Sequence, residues 1–375
     1  MQAWSGRAAV RIVHIVTYVS ADGAFGGPIA VAISQLTELA RQGHDVELMA
    51  GWDGEAVVQA EGVKVTLFKV LRVWPHGFSG LWAPGLARAA HARARSGAVV
   101  HIHLARDLIT LPAARAVSRH VRPVVQTHGM VMPDGRLLAR LLDRLLTREV
   151  LSRARSVLAL TAREQLGLEE VAGGPVVVAR VANGISVRPV RELRRKSDEV
   201  LFLARLHPRK RVMNFARMSK ILVDRGVPVT CVVVGPDEGD LAPLMAFVKE
   251  QSLEKSLLYE GVLPTGQAVN RLAQAAVYVL PSTAEVFPMT VLESLASGTP
   301  VVTTLDSGIA PQLAFLKAAE LTDGTPESLA DAVERILSGK ARRDSLVSNG
   351  YKGLATTFSI EAVSAQLLAL YGPQA

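Results

Sequence analysis

The chain contains 375 residues, of which 49% are hydrophobic and 20% are charged. This length accommodates two domains of ordinary size, and the apolar content excludes an intrinsically disordered chain. No apolar run approaches the roughly 20 residues that a membrane-spanning helix requires, and the stretch at 11–17 is too short and too polar for a signal peptide core. Because Cys231 is the only cysteine, no intramolecular disulfide can form, and we expect a cytoplasmic protein.

The net charge of +8 lies entirely in the first half of the chain. Residues 1–188 contain 22 Lys and Arg against 14 Asp and Glu, whereas residues 189–375 contain 20 of each. A basic surface favours an anionic partner, such as the phosphates of a lipid-linked molecule or the inner face of the plasma membrane. Nucleic acid is not expected as a partner, because the excess is modest and no nucleic-acid-binding module is visible.

Predicted strands and helices alternate along the whole chain, which is the pattern of βαβ units and parallel sheets. Strands are predicted at 10–17, 45–50, 62–70, 99–104, 121–127 and 156–161, and then at 200–204, 229–234, 257–259, 277–280 and 301–304. A charged, apolar-poor segment at 187–199 separates the two series and is interpreted as a linker. We therefore predict an α/β fold with two Rossmann-like domains that face each other across a cleft.

The predicted domain boundaries follow from this alternation. The first domain comprises residues 1–188, and the second comprises residues 189–355. A C-terminal helix within 356–375 is expected to pack back on the first domain.

A glycine-rich loop at 21–28 follows the first predicted strand and precedes a helix. Gly26 and Gly27 could form a simple tight turn. Alternatively, they could allow a phosphate to approach the free N–H groups at the helix N-terminus. The loop is not a dinucleotide-binding Gly-x-Gly-x-x-Gly motif.

Three histidines lie on or after predicted strands of the first half. His101 and His103 share one face of a strand, and since spacing reveals no third ligand, we interpret them as buried, hydrogen-bonded histidines rather than a metal site. His128 follows the strand at 121–127 and precedes Gly129. A lone histidine is more often structural, but this one stands at the carboxyl end of a strand, where ligands bind.

A basic run, 205–211, follows the first strand of the second half. Fixed cations at such a position stabilise the negative charge that develops on a leaving diphosphate, a task that a metal ion performs in other enzymes. Arg205 and Lys210 are the candidates, and the alternative is a solvated basic loop. No Asp-x-Asp motif, the usual metal-holding signature, occurs in the chain.

The stretch at 277–304 predicts a buried strand, a polar loop, a short helix and a second buried strand. Glu285 lies in the loop, and Glu293 is predicted in the first turn of the helix. Two carboxylates at the carboxyl end of a parallel strand suit a hydroxyl-rich ligand. The alternatives are a surface position for Glu285 and a helix capping box with Thr290 for Glu293.

In this order, the motifs resemble those of the family 4 retaining glycosyltransferases, which have the GT-B arrangement of two Rossmann-like domains. The resemblance covers about residues 10–371, and its most specific mark is the pair of glutamates. The marks are Gly26-Gly27, Thr127-His128-Gly129, Ala182-Asn183-Gly184-Ile185, Leu203–Lys210, and Glu285 and Glu293 with the tail Ala296–Pro300. The chain departs from the family at Ala204 and Arg211, where glycine is common.

The resemblance implies a glycosyltransferase that moves a sugar from a UDP- or GDP-sugar to a hydroxyl of a glycan or lipid-linked acceptor. It implies retention of configuration, a role in polysaccharide or glycolipid synthesis, and no metal or cofactor besides the nucleotide-sugar co-substrate. Glu285 and His128 would act as catalytic residues at the sugar, and Glu293 would bind the ribose. The other donor-binding residues would be Gly26, Gly27, Arg205, Lys210, Val262, Leu263, Phe287, Pro288, Met289 and Thr290. The alternatives are a sugar-nucleotide epimerase of the same fold and a non-catalytic nucleotide-sugar-binding protein.

Arginines recur every four residues from Arg136 to Arg148 and would line one face of a predicted helix, with leucines on the opposite face. The simplest interpretation is a surface helix that packs its leucines inward. The alternative is a cationic face that contacts an anionic membrane or a lipid-diphosphate acceptor. The aromatic residues Trp74, Phe78 and Trp82, which have basic neighbours, are a second candidate for a membrane interface or an acceptor platform.

Overall fold

The computed structural model describes residues 9–20, 26–73, 79–186, 198–264 and 266–372. The chain divides into two compact units: unit 1 comprises residues 1–186 and 360–375, and unit 2 comprises residues 187–359. These divisions lie within a few residues of the predicted domain boundaries. Most of the predicted linker, residues 187–197, lies outside the described residues.

Unit 1 contains a parallel sheet of seven strands in the order β3-β2-β1-β6-β7-β8-β9, and a separate antiparallel pair, β4 and β5. The strands are β1 (Arg11–Val19), β2 (Asp45–Trp52), β3 (Lys64–Lys69), β4 (Leu71–Arg72), β5 (Leu81–Trp82), β6 (Val99–His103), β7 (Val124–Gln126), β8 (Ser156–Ala159) and β9 (Val178–Arg180). The helices are α1 (Gly26–Arg41), α2 (Leu86–Arg95), α3 (Thr110–Val117), α4 (Leu137–Leu142), a π-helical turn (Asp143–Thr147), α5 (Arg148–Arg153) and α6 (Ala162–Ala172).

Unit 2 contains a parallel sheet of six strands in the order β12-β11-β10-β13-β14-β15. The strands are β10 (Glu199–Leu203), β11 (Thr230–Val234), β12 (Leu257–Tyr259), β13 (Val277–Leu280), β14 (Val301–Thr304) and β15 (Glu320–Thr322). The helices are a 3-10 turn (Pro208–Lys210), α7 (Val212–Asp224), α8 (Leu241–Glu250), α9 (Ala268–Gln274), α10 (Met289–Ala296), α11 (Ala310–Leu316), α12 (Pro326–Ser338), α13 (Lys340–Gly353) and a π-helical turn (Leu354–Phe358). Helix α14 (Ile360–Tyr371) belongs to unit 1.

Both faces of each sheet are covered, which explains why the strands are nearly continuous apolar runs. In β1, Val13 and Ile15 join one core cluster, whereas Ile12 and Val16 join the cluster on the other face. Helix α14 packs on α1 and contributes buried side chains to that second cluster.

The sequence analysis missed four short strands, β4, β5 and β9 in unit 1 and β15 in unit 2. In the main sheet of unit 1, it took 156–161 as the last strand of the first half. Strand β9 follows it and pairs with β8 in parallel. It is only three residues long, lies at the edge of the sheet and is only partly buried. The prediction was wrong because a short edge strand lacks the long buried run that marks the central strands.

The strand order of each sheet reverses at its first strand: β1 lies beside β2 and β6, and β10 lies beside β11 and β13. In open parallel sheets, ligands bind outside the carboxyl ends of the strands at such a reversal. The loops after β10 and β13 therefore mark the place in unit 2 where a ligand is expected. Within the described ranges, no helix combines the length and apolarity needed to cross a membrane.

We predict that Gly235, which follows β11, tolerates no side chain. Its φ is 146°, and a Cβ there would lie 1.9 Å from the carbonyl oxygen of Ala204, which cannot move as a flexible side chain could. Gly235→Ala should lower the free energy of unfolding of unit 2 by about 3 kcal/mol or more. Gly226→Ala is the matched control, because its φ is also positive but nothing lies within 4 Å of the added Cβ; it should cost only about 1–2 kcal/mol.

The chain carries separate probes for this measurement. Cys231, the only cysteine, is buried in β11, so its reaction with a thiol reagent under increasing urea reports the opening of unit 2. All four tryptophans precede residue 83 and report unit 1 by fluorescence. Equal losses for the two alanine variants would contradict the prediction.

Candidate functional site

Two loops meet at the strand reversal of unit 2. Lys210 ends the 3-10 turn after β10, and Glu285 lies in the loop after β13, 75 positions later. The Lys210 ammonium donates to Glu285 Oε2 at 2.5 Å, and the two side chains are only 17% and 16% exposed. The backbone N–H of Thr283 also donates to the carbonyl of Arg209 at 2.9 Å. The structure thus joins two predicted site residues in a half-buried ion pair.

The loop that carries Glu285 is held by Asp306, which follows β14. The Asp306 carboxylate accepts hydrogen bonds from the backbone N–H of Ala284 at 2.6 Å and from the hydroxyl of Thr283 at 2.8 Å. Ala284 has a φ of 52°, a left-handed conformation that costs energy for a non-glycine residue. Sequence reasoning did not single out Asp306; its only signal was its position after a predicted strand.

Glu293 is in the second turn of α10, not in the first as predicted. The helix begins at Met289, and Pro288 is its N-cap without a side-chain cap. Thr290, the expected capping partner, instead accepts a hydrogen bond from the hydroxyl of Tyr278 at 2.7 Å. The capping-box alternative for Glu293 is therefore wrong.

The environment of Glu293 is unusual for an acid. Burial raises its pKa above the ordinary value of 4.5. Among the described residues, no hydrogen bond reaches its carboxylate. A half-buried carboxylate without donors is less favourable when ionised than an exposed one, so it gains from any ligand that brings hydroxyl donors.

Arg205, the second predicted cation, is largely exposed after β10. Its guanidinium donates to Glu238 Oε1 at 2.6 Å. Arg211 is the N-cap residue of α7. With a φ of 54° and a ψ of 45°, it adopts the left-handed conformation at a position where glycine is common in the family that the chain resembles. Both predicted cations, Arg205 and Lys210, are thus paired with carboxylates.

The remaining predicted donor-binding residues of unit 2 occupy the same edge of the sheet. The Phe287 side chain is buried, with its ring centroid 6.2 Å from that of Phe358, so only its backbone is free to meet a ligand. The others lie at the N-terminus of α10 (Pro288, Met289 and Thr290) and in the loop after β12 (Val262 and Leu263). That loop is two strands away from β10 in the sheet.

In unit 1, His128 lies at the tip of a tight turn after β7, with a φ of 51°. The buried carboxylate of Glu164 holds this turn. It accepts hydrogen bonds from the Thr127 hydroxyl and the Gly129 N–H, both at 2.6 Å, and from the Leu160 N–H at 2.7 Å. Sequence reasoning missed Glu164, which lies 36 positions after His128 in the first turn of α6.

His128 contacts a cluster of buried histidines. Its Nε2 lies 2.7 Å from Nδ1 of His103, the rings stack at 5.0 Å, and burial lowers its pKa to about 3. His14 joins His101 and His103, because β1 and β6 pair with His14 opposite His101. The spacing in the sequence did not reveal this third histidine. Nitrogen atoms of His14, His101 and His103 all lie within 4.8 Å of one another, close enough to hold a transition metal.

Helix α1 begins at Gly26, and residues 21–25 of the predicted glycine loop lie outside the described residues. A Cβ added at Gly27 would meet nothing within 4 Å. Packing of the described residues therefore does not require glycine at this position.

Four of the six leucines between Arg136 and Arg148 are exposed, contrary to the simplest sequence interpretation. The exposed side chains of this segment, which we call the leucine–arginine face, are Arg136, Leu137, Leu138, Arg140, Leu141, Arg144, Leu145 and Arg148. The four leucines are 82%, 65%, 52% and 59% exposed. Trp82 is also exposed, whereas Trp74 and Phe78 lie outside the described residues.

A buried ion pair explains this orientation. Arg106 donates twice to the carboxylate of Asp143 at 2.8 Å, and it also donates to the Met132 carbonyl at 2.7 Å. Asp143 therefore faces inward together with Ala139 and Thr147, each four positions apart. The inward face is taken by these residues, so the leucines turn outward.

Two family profiles match the chain. Residues 26–184 match "Glycosyl transferase 4-like domain", and residues 186–353 match "Glycosyl transferases group 1". The two matches together extend over most of the chain and follow one another along it.

Curated relatives match part of the chain. D-inositol 3-phosphate glycosyltransferase of Corynebacterium glutamicum (strain R) is 29% identical over 178 residues, which are 46% of this chain and 42% of that protein. The GDP-mannose-dependent alpha-(1-6)-phosphatidylinositol dimannoside mannosyltransferase of Mycobacterium tuberculosis (strain ATCC 25177 / H37Ra) is 30% identical over 155 residues, 41% of this chain and 38% of that protein. The matched part thus spans less than half of the length of these relatives.

Solved structures resemble the chain over nearly its full length. Sucrose-phosphate synthase from Thermosynechococcus elongatus has a TM-score of 0.75 at 18% identity and covers 96% of this chain and 98% of its own. Anabaena Alr3699/HepE, solved in complex with UDP, has a TM-score of 0.70 at 16% identity and covers 95% of this chain and 98% of its own. At such low identity, the likeness shows the fold alone.

We predict that the buried carboxylate of Glu293 makes the stability of unit 2 fall as pH rises. Because its folded-state pKa is raised, the unfolded chain ionises first as pH increases above about 4.5. The free energy of unfolding of the wild type, measured relative to that of Glu293→Gln, should therefore decrease as pH rises above that value. The decrease should end at the pH where the carboxyl of the folded protein is also ionised. Urea titrations followed through Cys231 labelling at several pH values measure this, and Glu254→Gln at an exposed position is the control. If the wild type instead became more stable relative to Glu293→Gln as pH rises, the prediction would be contradicted.

Proposed function

The chain belongs to the GT-B glycosyltransferases of the group 1 and 4-like families, and from this premise we propose that it moves a sugar from a nucleotide-sugar donor to a hydroxyl of a glycan or lipid-linked acceptor. Relatives with glycosyltransferase names in glycolipid and polysaccharide synthesis support this assignment. The sugar would keep its anomeric configuration, and the product would enter cell-surface polysaccharide or glycolipid synthesis. The proposed location is the cytoplasm, at the inner face of the plasma membrane.

The observation that carries this proposal is the unpartnered carboxylate of Glu293 beside the strand reversal of unit 2. Ribose presents two adjacent hydroxyls, and a carboxylate can accept a hydrogen bond from both. Hydrogen bonds to a charged group contribute about 1.5–3 kcal/mol, and here they would also relieve the cost of burial. We therefore assign Glu293 to the ribose of the donor nucleotide.

The cations near Glu293 suit the diphosphate. Lys210 and Arg205 lie after β10, and each is already paired with a carboxylate, so a diphosphate would share or replace those partners. The N-terminus of α10, at Pro288–Thr290, adds backbone N–H groups that favour an anion. Negative charge builds on the diphosphate as the glycosidic phosphate bond breaks, and fixed cations stabilise it. We propose on this basis that the reaction requires no metal or other cofactor.

In unit 2, Glu285 is assigned to hydroxyls of the sugar. In unit 1, His128 is a separate candidate for a sugar contact, and Gly26 and Gly27 are candidates for a phosphate contact. Glu285 is held by Lys210 and by its loop, so its carboxylate is fixed in orientation for sugar hydroxyls. The donor base is proposed to be uracil or guanine. The UDP-bound structures of the Anabaena protein favour uracil, and the GDP-mannose-dependent relative favours guanine.

Glu293→Gln is predicted to weaken the binding of nucleotides that carry a ribose diol. The Kd for UDP or GDP, whichever binds the wild type, should rise about 10- to 100-fold, as expected for the loss of a charged hydrogen-bond acceptor. The Kd for the 2′,3′-dideoxy form of the same nucleotide should change little, because that ligand lacks the donors. Isothermal titration calorimetry measures both, with Glu254→Gln as the control.

A screen of UDP-, GDP- and ADP-sugars by thermal shift, followed by product analysis with glycan and lipid-linked acceptors, tests the activity. Transfer of the sugar to an acceptor supports the proposal. Conversion of the donor without any acceptor would instead indicate an epimerase, and binding without turnover would indicate a non-catalytic protein. No binding of any sugar nucleotide would overturn the assignment of the site.

We also propose that the leucine–arginine face contacts an anionic membrane that holds the acceptor. Exposed leucines interleaved with arginines suit the boundary between lipid headgroups and acyl chains. Among the described residues, Arg140 and Arg144 have no acidic partner, so their charges are available to lipid phosphates. This face belongs to the half of the chain that carries the whole excess of positive charge.

Replacement of Arg140 and Arg144 by Gln is predicted to weaken binding to vesicles of equal parts phosphatidylglycerol and phosphatidylcholine. Each arginine near an anionic surface contributes about 1 kcal/mol, so the double variant should bind about 30-fold more weakly at low salt. Leu141→Ser with Leu145→Ser should weaken binding at low and at high salt, because burial of apolar area is not screened. Val57→Ser, at an apolar position after β2 that is 82% exposed, is the control. Sedimentation with vesicles measures binding, and wild-type affinity in both double variants would contradict the membrane contact.

A further inference from the structure

Four of the nine histidines, together with Tyr371, form a continuous hydrogen-bonded array in unit 1 that runs from His128 to His101. His128 Nε2 lies 2.7 Å from His103 Nδ1, and His103 Nε2 lies 3.1 Å from His14 Nδ1. His14 Nε2 is 2.9 Å from the hydroxyl of Tyr371, which is 2.8 Å from His101 Nδ1. We call these five residues the histidine array. Every member except His128 is almost fully buried.

Each ring of the array carries one proton. Burial lowers the pKa of all four histidines, so the rings are neutral and have a single N–H each. Burial raises the pKa of Tyr371, which therefore keeps its O–H. Each contact needs one donor and one acceptor, and a neutral ring that is bonded at both nitrogens donates once and accepts once. The hydrogen bonds from His128 through His103 and His14 to Tyr371 must then all run in the same direction, and the Tyr371 hydroxyl can donate its single proton at only one of its two contacts.

The far end of the array selects the direction. His101 Nε2 and Gln126 Oε1 are buried atoms for which the described part of the chain offers no hydrogen bond of standard geometry. The Gln126 amide donates its Nε2 to Asn183 Oδ1 at 3.2 Å, which leaves Oε1 as an acceptor. Gln126 also raises the pKa of His101, the effect of an acceptor near a ring N–H. If His101 carried its proton on Nδ1, two buried acceptors would remain unsatisfied, whereas a proton on Nε2 matches a donor with an acceptor.

We propose that the histidine array fixes His128 as the tautomer with its proton on Nε2, so that its Nδ1 is a bare acceptor for a ligand hydroxyl. His101 donates to Gln126, Tyr371 to His101, His14 to Tyr371, His103 to His14, and His128 to His103. Among the described residues, Nδ1 of His128 has no partner. His14, His103, Tyr371 and His101 are positioning residues, because they act on the ligand only through His128.

This assignment rests on the proposed function only in the identity of the ligand, a sugar with a free hydroxyl. A His128 that can only accept at Nδ1 favours a hydroxyl over a carbonyl or an ether oxygen at that place. The sugar would therefore be one whose hydroxyl facing His128 is unsubstituted. The tautomer itself is a property of unit 1 and does not depend on any sugar being bound.

The alternative is a metal ion held by His14, His101 and His103. A ring binds one metal through one nitrogen, and both nitrogens of His14 and of His103 are already bonded to different groups within the array. A metal would have to break the 3.1 Å contact between those two rings. Bound metal would therefore be incompatible with the continuous array.

Long-range ¹H–¹⁵N NMR on the full chain with ¹⁵N-labelled histidine, in the absence of any nucleotide sugar, tests the proposal. The expected spectrum shows His128 protonated on Nε2 and bare on Nδ1, with assignment through His128→Gln. In Tyr371→Phe, which keeps the ring but removes the hydroxyl, the link to His101 is lost and a second His128 tautomer should appear. Gln126→Met removes the terminal acceptor and should have the same effect, and Tyr351→Phe in unit 2 should have none. Tryptophan fluorescence checks that unit 1 remains folded.

His128 protonated on Nδ1 in the wild type would overturn the proposal. So would a single, unchanged His128 tautomer in folded Tyr371→Phe and Gln126→Met. One equivalent of a transition metal in the purified protein, with histidine signals that shift when the metal is removed, would also overturn it. That result would show that these histidines bind a metal and do not form the hydrogen-bonded array. Because no sugar nucleotide enters this experiment, its outcome is independent of whether the proposed glycosyl transfer is found.

Discussion

All strand pairings in the two main sheets are parallel, and each sheet reverses its order at its first strand. This arrangement decides which loops become neighbours. The strands on either side of a reversal end at the same edge, so the loops after β10 and β13 must meet, and they bring Lys210 to Glu285. The same rule operates inside unit 1, where the pairing of β1 with β6 sets His14 opposite His101. Most of the chemistry described above follows from these two adjacencies.

The buried carboxylates illustrate how hydrogen-bond satisfaction separates structural groups from binding groups. Glu164 accepts hydrogen bonds from three donors of its own unit. It therefore stabilises a turn and needs no ligand to satisfy its carboxylate. Glu293 is half-buried with a raised pKa, and no group of the described residues donates to it, so a bound partner or a proton makes its position more favourable. Residues of the same type thus take opposite roles, and the number of donors around each carboxylate distinguishes them.

The fold was predictable from the sequence because apolar runs of strand length alternate with helical patterns, and the order of motifs resembles that of a known family. The site was predictable only in part. Glu285 and Lys210 were both singled out, but nothing in their spacing indicated a contact across 75 positions. The outward leucines were not predictable, because a pattern rule assumes apolar residues face inward and cannot detect that Arg106 and Asp143 occupy the interior instead. His14 was missed for a similar reason, since strand register is a tertiary property.

Helix α14 is the last element of the described chain, yet it completes the unit that begins the chain. Its Tyr371 belongs to the histidine array, and its apolar side chains share a core cluster with α1 and β1. During synthesis, every residue of unit 2 emerges from the ribosome before this helix does. Unit 2 can therefore fold first. Until α14 is synthesised, the apolar side chains of α1 and β1 that it covers remain exposed. The unit synthesised first is the last to be finished, and a truncation of only the final dozen residues would expose the core of the opposite end of the chain.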